Sequence, residues 1–322
     1  LRLALVGLAG AAVFLAAAVA AAAGAEPPAW AYPMPALQEE AAARDDGSVQ
    51  HLPGSAVGYT RAQLSDLFAA PDWFPQEHAG PPTVVSRGRK PAVYACGYCH
   101  RPDGSGGPEN ARLAGLPFGY ILQQLADYKS GARRSALPAR IPQAWMMALA
   151  KNLDEDDARA AAAYFAQIKP RRVIDVRETG VVPRTTSPGW FLAPVAGGGT
   201  EPIAQRIIEV PEDLADFELR DPHARFIAYV PPGSLQRGAA IVAGAAPGRA
   251  PPCAGCHGPG LRGQGNVPGI AGRSPSYLVR QLTDIQTGAR NGQAVQVMKG
   301  FVARLDAGDM IAVAAYLASL EP

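Results

Sequence analysis

Cysteine is scarce in this chain, four in 322 residues. All four fall in two short stretches, "ACGYCHRPDG" at 95–104 and "PCAGCHGPG" at 252–260. No cysteine is left over for any other purpose, which excludes a spread-out disulfide framework and leaves no spare thiolate to bind a metal. Net charge is equally scarce: 30 basic against 28 acidic residues give a formal +2. That balance excludes the electrostatic footprint of a nucleic-acid binder or of a protein held on a strongly charged membrane surface. Gly 35 and Pro 31 punctuate the chain too often for extended regular sheet to dominate.

What is present begins with an apolar run, "LRLALVGLAGAAVFLAAAVAAAAGA", with one charge at Arg2 and Ala23-Gly24-Ala25 at its end. The small-x-small ending predicts a cleaved export signal over 1–25. An uncleaved anchor is the alternative, since about 20 apolar residues span a bilayer. Either way the remainder is expected outside the cytoplasm, in the periplasm.

The chain contains an internal repeat. With Cys96 set on Cys253, the register holds without a gap for 39 positions, to Arg134 on Asn291, with 14 identities. These include Ala114-Gly115 with Ala271-Gly272, Tyr120 with Tyr277, Gln124-Leu125 with Gln281-Leu282, and Gly131-Ala132-Arg133 with Gly288-Ala289-Arg290. After five extra residues in the first copy, Met146 falls on Met298 and the match runs to Ile168 on Leu320. The expected organisation is an extension over 26–85, one domain over 86–170, an interdomain segment over 171–232 and a second domain over 233–322. Helical spacing of apolar residues is clear in "GYILQQLADYKSG" and "SYLVRQLTDIQTG". Final helices are expected to open at Asp154 and Asp306, each with an aspartate three residues on. A helix is also expected at 233–244; its counterpart before Cys96 is obscured by Pro91. The interdomain runs "RRVIDV", "GWFLAPV", "QRIIEV" and "RFIAYV" read as short strands or extended segments draped over the two domains.

Two cysteines three apart on one helical turn project their thiols the same way, able to form thioethers with the two vinyl groups of a haem, and the next residue, His100 or His257, can then reach the iron. A redox dithiol does not require the adjacent histidine, and a zinc site needs four ligands in one place where each copy offers three. The motif occurs twice and uses every cysteine, so two covalently bound haem c groups are expected, attached at Cys96, Cys99, Cys253 and Cys256. The repeat register nominates Met146 and Met298 as the second iron ligands, with Met147 as the fallback in the first copy. Met34 and Met310 have no such case. Arg133 and Arg290 are candidates to hold haem propionates, against the alternative of a solvated helix end. Tyr120 and Tyr277 are expected to pack on the porphyrin. His51, His78 and His223 are expected in ordinary surface or loop roles.

On CGYCH and CAGCH, "LAG" and "IAG", Tyr-x-x-x-Gln-Leu followed by Gly-Ala-Arg, and a methionine before a final Ala-Tyr helix, each copy resembles a class I c-type cytochrome domain. The tandem resembles the dihaem cytochromes of the cytochrome c4 kind over about half the chain. The resemblance implies mainly α haem domains passing single electrons between redox partners. The long extension and interdomain segment depart from the simple c4 layout and leave close haem-to-haem packing as an open point. Three function readings follow: an electron-transfer protein, a dihaem enzyme of the peroxidase type with one open haem, and the cytochrome subunit of a larger oxidoreductase such as a dehydrogenase or oxidase. Trp30, Trp73 and Trp190 lie in the non-repeated stretches, either as a docking surface for a lasting partner or as cover for the haem domains.

Overall fold

The computed structural model of the protein describes residues 26–35, 46–248 and 250–322. The expected export segment over 1–25 lies outside the described residues. The first repeat copy contributes α1 (Cys96–His100), α2 (Phe118–Ser130), α3 (Ile141–Asn152) and α4 (Glu155–Gln167). The interdomain segment contributes β1 (Ile174–Glu178), β2 (Ile208–Pro211) and β3 (Phe226–Val230). The second copy contributes α5 (Ser234–Val242), α6 (Ala254–His257), α7 (Pro275–Gln286), α8 (Gln296–Val302) and α9 (Ala307–Ser319).

The helix boundaries follow from local chemistry. Asp154 accepts the Asp157 amide at the start of α4, and Asp306 and Asp309 cap each other reciprocally at the start of α9. Three acidic residues in the first turn of α4 also complement the positive end of its dipole. Ser274 caps α7, with Pro275 in the first turn where no amide is needed.

The two copies differ at their first helix. In the second, α5 crosses α9 with backbone against backbone: a Cβ on Gly238 would stand 2.0 Å from the Ala312 carbonyl oxygen. In the first, only the single turn Thr83–Ser86 is present, burying Val84 and Val85. Pro81 and Pro82 stop it from extending upstream, because a residue before proline is pushed out of the helical region.

The interdomain segment is more than a drape. β3 pairs in parallel with β1 (Ile174↔Phe226) and antiparallel with β2 (Ile208↔Tyr229). Alternation along β3 buries Phe226, Ala228 and Val230 on one face. Phe226 and Ala228 share a small core there with Ile174, Phe217 and Ala318 of α9. Three of the expected runs therefore form one sheet with its own core, while "GWFLAPV" contributes only the two-residue strand Ala193–Pro194, paired with Thr185–Thr186.

The extension also folds onto the rest. A hairpin of Val49–His51 with Gly58–Thr60 leads into a capped helix, Arg61–Ser65. Leu52, Leu64, Trp73 and Phe74 form a cluster, and the Trp73 indole N–H donates to the Leu219 carbonyl at 2.8 Å. Further upstream, Trp30 and Tyr32 pack on the core of the second copy. The insertion does not hold the copies apart: Arg134 N–H donates to Ala289 O at 2.8 Å and Asn291 N–H to Ala132 O at 2.7 Å.

Candidate functional site

Each copy encloses a mostly apolar cavity of about 380 Å³. In the first, Cys96, Cys99 and His100 of α1 line it together with Met146 of α3, and Leu149, Leu153, Ala161 and Phe165 complete the apolar wall. Met147 lines neither this cavity nor its continuation toward the second copy. The second cavity is lined by Cys253, Cys256, His257 and Met298 with Leu278, Leu282, Phe301 and Val302.

The histidines are prepared as ligands. His100 Nδ1 lies 2.8 Å from the Ala111 carbonyl and His257 Nδ1 lies 2.8 Å from the Pro268 carbonyl, which are matching positions of the repeat. A carbonyl only accepts, so Nδ1 carries the proton and Nε2 keeps its lone pair for a metal. Burial pushes both imidazoles below the ordinary histidine value, holding them neutral. The thiols move the other way. Burial pushes Cys96 up to about 12 and Cys99 up to about 11. A reactive dithiol needs a stabilised thiolate, so this environment does not suit thiol exchange. All four cysteines are free of disulfide bonds.

The cavities meet at a seam with pseudo-two-fold symmetry. Arg133 donates to Gln124 Oε1 at 2.9 Å within its own copy, and to Gln281 Oε1 at 3.0 Å and Tyr277 OH at 3.2 Å across the seam. Arg290 mirrors it, donating to Gln281 Oε1 at 3.1 Å and reaching Gln124 Oε1 at 2.9 Å and Tyr120 OH at 3.0 Å. The solvated-helix-end alternative for these arginines is thereby replaced by a shared, largely buried network. Tyr120 and Gln124 line the second cavity, and Tyr277 and Gln281 line the continuation of the first. The two candidate cofactor cavities thus share lining residues at the seam. Burial alone would push the Tyr120 phenol up, but the guanidiniums of Arg290, Arg133 and Arg273 outweigh it and pull the phenol below the ordinary tyrosine value.

Sequence reasoning missed several residues at the first cavity. Phe191, Phe217, Glu218 and Arg220 of the interdomain segment line it beside Trp190, as do Arg101 and Glu109 from the copy itself. The repeat register held a signal for two of them, since Arg101 falls on Gly258 and Glu109 on Asn266. With Trp190 at the cavity, Trp73 buried in the extension and Trp30 against the second core, the three tryptophans act as cover, not as an exposed docking surface. His78 lies in a loop but not at the surface. Its side chain is 5% exposed and held by Asp72 Oδ1 at 3.2 Å and Tyr164 OH at 2.9 Å. His51 sits exposed on a strand, and His223 stacks on Phe74 and pairs with Glu77 at 2.8 Å. Met310 is core, as its alignment with Ala158 implies.

The residues present fit covalently held haem. The donor set is one neutral imidazole, two thiols and a thioether per cavity. Arg101 Nη1 and Arg290 Nε, at the first and second cavity respectively, are buried with no hydrogen-bond partner among the described residues. Unmet guanidinium donors at an apolar cavity match the carboxylates that a porphyrin carries.

Fold and site together define a tandem haem-binding, electron-carrying protein. The Cytochrome c family model matches residues 85–169 and 236–321, and the chain belongs to that family. It is 28% identical over 250 residues to cytochrome c4 of Azotobacter vinelandii, covering 76% of this chain and 91% of that protein. It is 27% identical over 232 residues to the thiosulfate dehydrogenase electron acceptor of Thiomonas intermedia strain K12, covering 71% of this chain and 80% of that one. Among solved structures, thiosulfate dehydrogenase from Marichromatium purpuratum in its as-isolated form aligns with a TM-score of 0.49 at 28% identity, over 74% of this chain and 39% of that chain. The protein is a mainly α, cytochrome c4-like electron-transfer cytochrome.

Proposed function

We propose that the chain is a periplasmic dihaem cytochrome in which His100 with Met146, and His257 with Met298, ligate the two irons. In this reading Cys96 and Cys99, and Cys253 and Cys256, form the thioethers, Arg133 and Arg290 meet the propionates, and Tyr120 and Tyr277 pack on the porphyrins. Haem iron supplies one-electron chemistry by alternating between ferric and ferrous states. The chain's own residues do the rest. Ala111 and Pro268 orient the imidazoles through Nδ1, the apolar walls keep water from the metal sites, and the arginine–glutamine seam holds the two cavities side by side.

The adjoining of two matched cavities at one symmetric seam is the observation that carries this function. An electron entering one domain has a short route to the other. The peroxidase reading is not favoured, because both cavities are lined by a histidine and a methionine at matching positions of the repeat. The relatives named as electron acceptors of a thiosulfate dehydrogenase support a dehydrogenase as the redox partner. The export signal expected from the sequence supports the periplasm, and no helix among the described residues is long and apolar enough to cross a membrane. The testing experiment is the pyridine haemochrome content of the protein made in a host that matures c-type cytochromes, with near-infrared spectra of the oxidised form. Two haems per chain with sulfur-to-iron charge transfer from both is the expected result. A single haem, or a high-spin haem that binds peroxide, overturns it.

A further inference from the structure

The residue after each haem-attachment histidine has the same unusual backbone in both copies. Gly258 sits at φ 75°, ψ 174°, and Arg101 sits at φ 65°, ψ 150°. This positive-φ, extended region is close to glycine-only, and an arginine there is strained. The strain is held by the interdomain segment. Arg101 Nη2 donates to the Phe217 carbonyl at 3.3 Å, with the guanidinium 5.5 Å over the Phe217 ring. In return Arg220 donates to the Tyr98 carbonyl of α1 at 2.8 Å, lies 3.7 Å over the Tyr98 ring, and itself has φ 62°. Two arginines in left-handed conformations thus clamp the haem-attachment helix of the first copy to the insertion.

The clamp keeps a cation where the repeat has none. Arg101 is 4% exposed, lines the first cavity beside His100, makes no ion pair among the described residues, and has Nη1 unpartnered there. The carboxylates of Glu109, Asp103 and Asp221 oppose it, and Glu109 is the one that lines the cavity. Glu109 lines the same cavity with Oε2 buried and without a hydrogen-bond partner among the described residues, where the second copy has the neutral Asn266. Arg220 and Glu218, both from the insertion, line the cavity as well.

We propose that Arg101, held by the insertion and opposed by Glu109, is the positioning residue that sets the reduction potential of the first-domain haem independently of the second. A buried cation near the iron favours the ferrous state, which carries one positive charge less, and a buried carboxylate disfavours it. At the matched positions of the second domain both charges are missing. The inference rests on the proposed dihaem function and deepens it.

The test is a spectroelectrochemical titration of the full-length holoprotein, wild type against R101G, R101K, E109Q and the R101G/E109Q double variant, with M298A included to mark the second-domain transition. Glycine is the residue the repeat itself carries at this place, so R101G is compatible with the backbone. R101G is expected to lower the potential of the first-domain haem, so that its reduced fraction at fixed ambient potential falls severalfold. E109Q is expected to raise the same transition, the double variant to return toward wild type, R101K to hold near wild type, and the second-domain haem to stay where it is. Opposite signs at the two positions identify charge as the cause, since general loosening of the cavity would move both variants the same way. Potentials unmoved by R101G and E109Q, or shifted in the same direction by both, overturn the inference while leaving the dihaem reading intact. Fewer than two haems in wild type overturns the dihaem reading itself.

Discussion

At the scale of single residues, the two methionines carry the sharpest expectation. M298A removes the thioether from the second cavity and is expected to lower that haem's potential and open it to imidazole or carbon monoxide, read from absorption spectra. M147A, at a residue that lines neither candidate cavity of the first domain, is expected to leave the spectrum unchanged. His78 makes a different prediction. Tyr164 donates its proton to the Pro102 carbonyl at 2.8 Å, so His78 Nδ1 must donate to the phenol oxygen, while Nε2 faces Asp72. Every partner is an acceptor, which favours the doubly protonated ring. The Asp72 carboxylate accordingly raises the imidazole above the ordinary histidine value, against the opposing effect of burial. A raised folded value means that the stabilisation is fully present below the unfolded value of about 6.5 and is lost as pH rises through the folded value. The melting temperature of H78Q is therefore expected to lie furthest below wild type near about pH 5 and to approach it in mildly alkaline buffer. A gap between the two that widens with pH would contradict the assignment.

At the scale of elements, the α5–α9 crossing depends on Gly238. G238A forces a methyl group against the Ala312 carbonyl and the Tyr316 side chain, and is expected to destabilise the second domain by about 2–3 kcal/mol, measured by thermal unfolding. The first domain has no such crossing; its single turn Thr83–Ser86 instead buries Val84 and Val85 in that domain's core, and the Ser86 carbonyl accepts from the Ala70 amide of the extension. The elements of the repeat were legible in the sequence because helical periodicity, Asp154 and Asp306 as caps, and the self-alignment all pointed the same way. The hairpin at Val49–His51 and Gly58–Thr60 was not, since three-residue strands leave too little alternation to read. The parallel pairing of β1 with β3 was hidden for another reason: the partners lie some fifty residues apart, and nothing local announces them. The site followed the same division. Cysteines, histidines and methionines were visible through fixed spacing and register, whereas Arg220 and Trp190 reach the first cavity through tertiary contacts of a segment with no counterpart in the repeat.

At the scale of the whole molecule, the seam decides whether the two domains behave as one. R133A deprives Gln124, Gln281 and Tyr277 of a buried charged donor at once. Losing charge-assisted hydrogen bonds of this kind is expected to weaken domain association by roughly 2 kcal/mol. In calorimetry a single unfolding transition is expected to split toward two, and exchange of electrons between the haems, followed by flash reduction, to slow. R290A is expected to do the same, by symmetry. An unsplit transition in both variants would show that the remaining contacts, the direct backbone bonds between the copies among them, bind the halves together without the two arginines.

That symmetry has a consequence for how the halves recognise each other. Arg133 finds in the neighbouring half the same tyrosine and glutamine that Arg290 finds in the first, so the contact is isologous and each face is its own complement. One such face suffices for self-association, because it is complementary to its own copy. Carrying both faces on one chain frees the pairing from dilution.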